Sequence, residues 1–151
     1  MIVFCDTSAI VKRYLHETGS NRVRHLLQRP DTIPCQAFVS SLEITSAFYR
    51  RHRSGEISLE DLSILLRSYG IHSREEYLFI PYSQSLVNVA QALISRHPLR
   101  ALDSLQLASA MHLRAELPDA APPLVFVSAD DRLIQAAAQE HLRTENPERA
   151  S

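Results

Sequence analysis

Short apolar runs alternate with longer stretches of helical periodicity along this chain. The run Ile2-Val3-Phe4-Cys5 predicts a short buried strand. Segments 33–38, 77–80 and 124–127 repeat that pattern; Pro81 closes the third strand and Pro122-Pro123 precede the fourth. Between them the spacing predicts helices over 7–16, 19–29, 40–53, 58–72, 83–96, 103–116 and 131–139, with a frayed strand near 141–144. The 58–72 helix opens at Ser58, and Gly70 marks a point where it could break. Segment 103–116 is apolar nearly all round, which predicts a central, buried helix. Short apolar strands alternating with helices imply an α/β fold, a parallel sheet covered by helices on both faces. No linker, repeat or low-complexity segment interrupts the pattern, so residues 1–151 read as a single domain.

Composition narrows the class. At 151 residues and 45% hydrophobic, the chain can bury a full core. No apolar run approaches the roughly 20 residues needed to cross a bilayer. The N-terminus lacks the basic region and long apolar stretch of a signal peptide, so a cytoplasmic protein is expected. Cys5 and Cys35 fall in predicted strands without CxxC spacing and read as reduced core thiols. A net charge of −1 does not mark the whole chain as a nucleic-acid binder. Of its 16 basic residues only Lys12 is a lysine; Arg50, Arg51 and Arg53 form a local cluster at a predicted helix end. Such a cluster suits a phosphate backbone, although a solvated helix end is its commoner role. None of Gly19, Gly55 and Gly70 builds a phosphate-cradling loop, and the histidines show no zinc-binding spacing. His112, in the apolar 103–116 helix, is expected to be packed rather than catalytic.

The informative residues are four acids, Asp6, Glu43, Asp103 and Asp130, each at the margin of an apolar element. Each alone has an ordinary explanation. Asp6 and Asp130 are placed to cap the helices that follow them. Ser40-Ser41-Leu42-Glu43 fits a capping box, and Asp103-Ser104-Leu105-Gln106 fits another. Context weighs against that for Glu43 and Asp103, which lie in strongly apolar stretches where an unpaired carboxylate is costly. Parallel α/β sheets bind ligands beyond the carboxyl ends of their strands. Four carboxylates gathered there repel one another unless a hard cation lies among them. Mg²⁺ or Mn²⁺ suits such oxygens, and the hydroxyls of Thr7, Ser8 and Ser128 are placed to hold water or phosphate oxygens. The chemistry is in-line hydrolysis of a phosphate ester, which leaves nuclease and phosphatase both open. An aspartyl-phosphate phosphatase wants a second Asp two residues after the nucleophile, and Ser8 stands there.

Four segments taken together go further: Asp6-Thr7-Ser8-Ala9-Ile10-Val11-Lys12, Ser41-Leu42-Glu43-Ile44-Thr45-Ser46-Ala47, Leu102-Asp103-Ser104-Leu105-Gln106-Leu107-Ala108, and Phe126-Val127-Ser128-Ala129-Asp130-Asp131-Arg132-Leu133. In this order they resemble the PIN-domain family, and look most like VapC-type ribonuclease toxins of bacterial and archaeal toxin–antitoxin pairs. The resemblance spans essentially the whole chain, including the ending Leu142-Arg143-Thr144-Glu145-Asn146-Pro147. It implies a three-layer α/β/α sandwich with a mostly parallel sheet and Mg²⁺- or Mn²⁺-dependent endoribonuclease activity. By position it makes Asp6, Glu43, Asp103 and Asp130 the metal-binding and catalytic acids, with Asp6 and Asp103 the foremost ligands and Asp130 acting through water. Ser8 matches the family's site hydroxyl, and Asp130 is preferred over Asp131 as the fourth acid because it follows Ser128-Ala129. The resemblance also implies a homodimer, an RNA substrate and a small antitoxin partner; Leu59, Leu62, Leu65 and Leu66 offer an interface unless they pack on the domain's own core. A catalytically silent RNA- or protein-binding module and a metal-dependent phosphatase are the alternatives. Many RNA-cleaving relatives look more basic, so the local field must hold RNA here.

Overall fold

The computed structural model describes residues 1–149. In chain order the elements are β1 (Ile2–Cys5), α1 (Thr7–Tyr14), α2 (Ser20–Gln28), β2 (Ile33–Ala37), α3 (Ser40–Arg53) and α4 (Leu59–Glu75). Then come β3 (Leu78–Ile80), α5 (Gln84–Arg96), α6 (Ala101–Glu116), β4 (Leu124–Val127), α7 (Asp131–Gln139) and β5 (Arg143–Glu145). The five strands form one all-parallel sheet in the order β3-β2-β1-β4-β5. The expected three-layer α/β/α sandwich is present.

Alternation along the strands builds the layers. Ile2 and Phe4 enter one core with Leu86 and Leu93 of α5, Leu107 of α6 and Leu133 of α7. Val3 and Cys5 enter the other with Ile10 of α1, Val23 of α2, Ile44 and Phe48 of α3 and Leu62 of α4. Neighbouring side chains therefore serve opposite faces, the period-two behaviour of a strand buried on both sides. Both cysteines are free and buried. Among the described residues no helix is long and apolar enough to cross a membrane.

Three expectations change. α4 runs unbroken through Gly70; the cost of about 1 kcal/mol for a helical glycine is small beside the packing of the helix on the domain. Leu62 and Tyr69 are buried, and Tyr14 of α1 reaches across to His72 Nδ1 at 2.8 Å and the Tyr77 hydroxyl at 2.6 Å. The leucines of α4 are divided, with Leu62 in the core and Leu59 exposed. His112 is exposed rather than packed, because α6 keeps one polar flank.

The register of β1 against β4 aligns Cys5 with Val127, so the residues that follow, Asp6 and Ser128, emerge side by side. β5, parallel to β4, returns the chain to this edge with Glu145 beside Val127. The segment after it is clasped: Lys12 Nζ lies 2.8 Å from Glu17 and 2.7 Å from Glu148. Asn146 and Arg149 donate to the Asp131 carboxylate at 2.9 and 2.6 Å. Gly19, at φ +84°, allows the close approach, since a Cβ there would stand 3.1 Å from the Pro147 backbone. Gly19→Ala combines backbone strain with that clash, and should cost about 1–3 kcal/mol. Urea unfolding measures the loss, and a midpoint equal to wild type would refute the clasp.

Candidate active site

Asp6 ends β1 and is the N-cap of α1, its Oδ1 accepting the Ala9 amide at 2.9 Å. The expected cap is there, but it uses only part of the carboxylate. Ser8 Oγ donates to it at 2.8 Å, and Ser128 Oγ donates to Oδ2 at 2.9 Å. Both hydroxyls are held in turn: Ser8 Oγ accepts the Ala129 amide at 2.9 Å and Ser128 Oγ accepts the Asp130 amide at 3.0 Å. The β1–α1 and β4–α7 turns are thus stitched together through one carboxylate. Asp6 is only 4% exposed. Burial raises its pKa to about 6; the bonds from Ala9, Ser8 and Ser128 resist the rise, and the charge of Glu43 adds to it.

Glu43 does not reach back to Ser40. α3 begins at Ser40 and puts Glu43 in its first turn, facing α1 and α6. Thr7 Oγ1 donates to Glu43 Oε2 at 2.8 Å, and Gln106 Nε2 lies 2.7 Å from the same oxygen. Gln106 is 2% exposed and its Nε2 is also 3.0 Å from Thr7 Oγ1 and from Ser40 Oγ. One buried amide therefore ties α1, α3 and α6 together beneath Glu43. In the sequence Gln106 stands out only as part of a motif. The available signal was its place one helical turn after Asp103, a polar residue inside an apolar helix.

Asp103 is not a cap either, since α6 starts at Ala101 with Arg100 as its N-cap. Asp103 is half-buried, and its pKa is raised by burial and then by the charge of Asp130, against the opposing pull of Arg100 and Arg132. Asp130 does cap α7, accepting the amides of Arg132 at 2.8 Å and Leu133 at 3.4 Å. Burial works to raise its pKa, but the Arg132 amide and guanidinium outweigh it and the pKa lies below the usual range. Asp131 is occupied by Asn146 and Arg149, which separates its tethering task from the placement of Asp130.

The four acids thus come to the carboxyl edge of the sheet in two electrostatic pairs, Asp6 with Glu43 and Asp103 with Asp130. Every donor is a hard oxygen, and among the described residues no lysine or arginine pairs with Asp6. That chemistry fits a divalent cation. As the side chains stand, no three His, Cys, Asp or Glu among the described residues are close enough together to hold one. A wide cleft opens beside them, lined by Ser8, Lys12, Ala129, Asp130, Arg132 and Glu148.

Known proteins give a fold likeness. No family model matches this sequence, and no curated protein does. Among solved structures, FitAcB from Neisseria gonorrhoeae is 13% identical with a TM-score of 0.64, over 99% of this chain and 100% of that one. VapBC2 from Rickettsia felis, bound to a DNA fragment from its promoter, is 14% identical with a TM-score of 0.62, over 97% and 98%. A toxin–antitoxin complex from Klebsiella pneumoniae is 14% identical with a TM-score of 0.57, over 85% and 86%.

The raised Asp6 pKa has a measurable consequence. The native state holds a proton more tightly than the unfolded chain, so stability falls as pH rises from about 4 through 6. Asp6→Asn should flatten that part of the profile and stabilise the metal-free protein at pH 7 by about 1–3 kcal/mol. Chelator-treated protein unfolded across pH 4 to 7.5 reads both; a variant less stable than wild type at neutral pH would contradict the burial penalty.

Proposed function

We propose that the chain is a Mg²⁺- or Mn²⁺-dependent endoribonuclease, the toxin member of a toxin–antitoxin pair. The observation that carries the reading is the buried Asp6 carboxylate, held by two serine hydroxyls and without a cationic partner among the described residues, with three further acids at the same sheet edge. A fold made of packing alone has no use for that arrangement, because each added negative charge raises the cost of the others. The likeness to the toxin–antitoxin complex from Klebsiella pneumoniae supports the biological setting. An acid-lined edge of this kind suits an enzyme rather than its inhibitor, which favours the toxin side.

Asp6 and Asp103 would hold the ion, with Glu43 and Asp130 completing its surroundings directly or through water. A bound divalent ion supplies Lewis-acid polarisation of a phosphoryl oxygen and activation of water. The protein's own contribution is orientation. Ser8 and Ser128 fix the Asp6 carboxylate, and Gln106 with Thr7 fixes Glu43. Asp130, kept ionised with the help of the Arg132 amide, is suited to hold a metal-bound water by hydrogen bonding. Ser8 and Arg132 face the open cleft where a substrate strand has room.

The test is cleavage of total RNA with Mg²⁺, Mn²⁺ or EDTA. Asp6→Asn and Asp103→Asn should each lower the rate beyond the about 10- to 100-fold expected of a residue that only orients a ligand, and Gln106→Ala should fall within that range. A catalytically silent RNA- or protein-binding module is favoured by one observation, that no three acids converge among the described residues. RNA left intact in every metal, with no loss of RNA affinity in Asp6→Asn, would select that module. A chromogenic phosphate ester cleaved while RNA stays whole would select a phosphatase.

A further inference from the structure

The acids alone present the wrong charge to an RNA strand, and a cation among them does not hold the phosphates on either side. Two arginines stand at this edge from different helices. Arg132, in the first turn of α7, lines the cleft with Ser8 and Asp130, and its side chain is 53% exposed. Its contact with Asp130 is long, Nη2 to Oδ2 at 3.4 Å. Arg100 is the N-cap of α6, three residues before Asp103, and is exposed. It makes no side-chain cap, and among the described residues it has no carboxylate partner.

Other cations near the site are committed elsewhere. The Lys12 side chain is 4% exposed and clasped by Glu17 and Glu148 at 2.8 and 2.7 Å. Arg149 is held to Asp131 at 2.6 Å, and Arg51 to Glu17 and Glu56 at 2.7 and 2.6 Å. A long contact on an exposed arginine contributes little, so releasing Arg132 from Asp130 costs little. Guanidinium groups bind phosphate oxygens in a bidentate fork.

We propose that Arg100 and Arg132 form a phosphate clamp, gripping non-bridging oxygens of the RNA backbone from the two sides of Asp103 and Asp130. Arg132 rests on Asp130 in the free protein and moves to the phosphate when RNA enters. Arg100, already free, receives the neighbouring phosphate. The clamp rests on the nuclease reading and names the residues that supply its missing positive field. Of the acids' own hydrogen bonds it involves only the long, exposed Arg132 contact to Asp130, so its loss leaves the fold intact.

The experiment is fluorescence anisotropy with a fluorescein-labelled single-stranded RNA of mixed sequence. The parent is Asp6→Asn, which removes cleavage, titrated in Mg²⁺ over a salt series. Arg100→Gln and Arg132→Gln should each weaken binding about tenfold. Each should also lower the slope of log affinity against log salt by about 0.7, the loss of one phosphate contact to a single strand. Lysine at either position should restore the slope and part of the affinity. Arg74→Gln, at an exposed position of α4, is the charge control and should change neither. Unchanged affinity and slope in both glutamine variants would overturn the clamp, while cleavage by the wild-type protein kept the nuclease reading intact. Neither binding by the parent nor cleavage by wild type would overturn both together.

Discussion

The carboxylate of Asp6 joins the two halves of this fold's working edge. β1 and β4 are neighbours in register, and the turns leaving them share this one group through the hydroxyls of Ser8 and Ser128. Those hydroxyls in turn collect the amides of Ala129 and Asp130. The chain thereby satisfies polar groups that the buried edge would otherwise leave unpaired. The satisfaction is incomplete in charge: hydrogen bonds stabilise the carboxylate, yet burial still moves its pKa to about 6. That uncompensated burial is the imbalance that the proposed cation would relieve.

A second layer supports the first. Gln106 lies under Glu43 and links three helices through one amide, whose two N–H groups face three oxygens. The segment after β5 is strapped down by Lys12 and by Asp131, which keeps α7 in place and with it Asp130. Residues far apart in sequence are thus fixed by contacts between elements rather than within them. The acids can be held by such a frame without touching one another, while the charge of Glu43 still raises the pKa of Asp6 and that of Asp130 the pKa of Asp103.

Local patterning made most of the fold legible. The apolar runs at 2–5 and 124–127 and the periodic stretches at 40–53 and 131–139 match β1, β4, α3 and α7, because buried strands and amphipathic helices write their environment into composition. Gly70 misled, since propensity yields to packing in a helix as long as α4. His112 misled because an apolar helix can still keep a wet flank. The four acids were visible as residues at element margins, but their partners were not. The Glu43 contacts with Thr7 and Gln106 span 36 and 63 residues, and no local rule assigns them. The capping readings divided accordingly: Asp6 and Asp130 are caps, whereas Glu43 and Asp103 are not.

The central claim is that this edge is built for a divalent ion. Calorimetric titration of Mn²⁺ into chelator-treated protein at pH 7, with Asp6→Asn alongside, addresses it most directly. The account predicts saturable binding to wild type, with proton release at pH values near the Asp6 pKa, and at least a tenfold loss of affinity in the variant, about 1.4 kcal/mol. No saturable heat up to about 1 mM Mn²⁺, the weak end of ordinary affinities, or equal binding by wild type and variant, would contradict it.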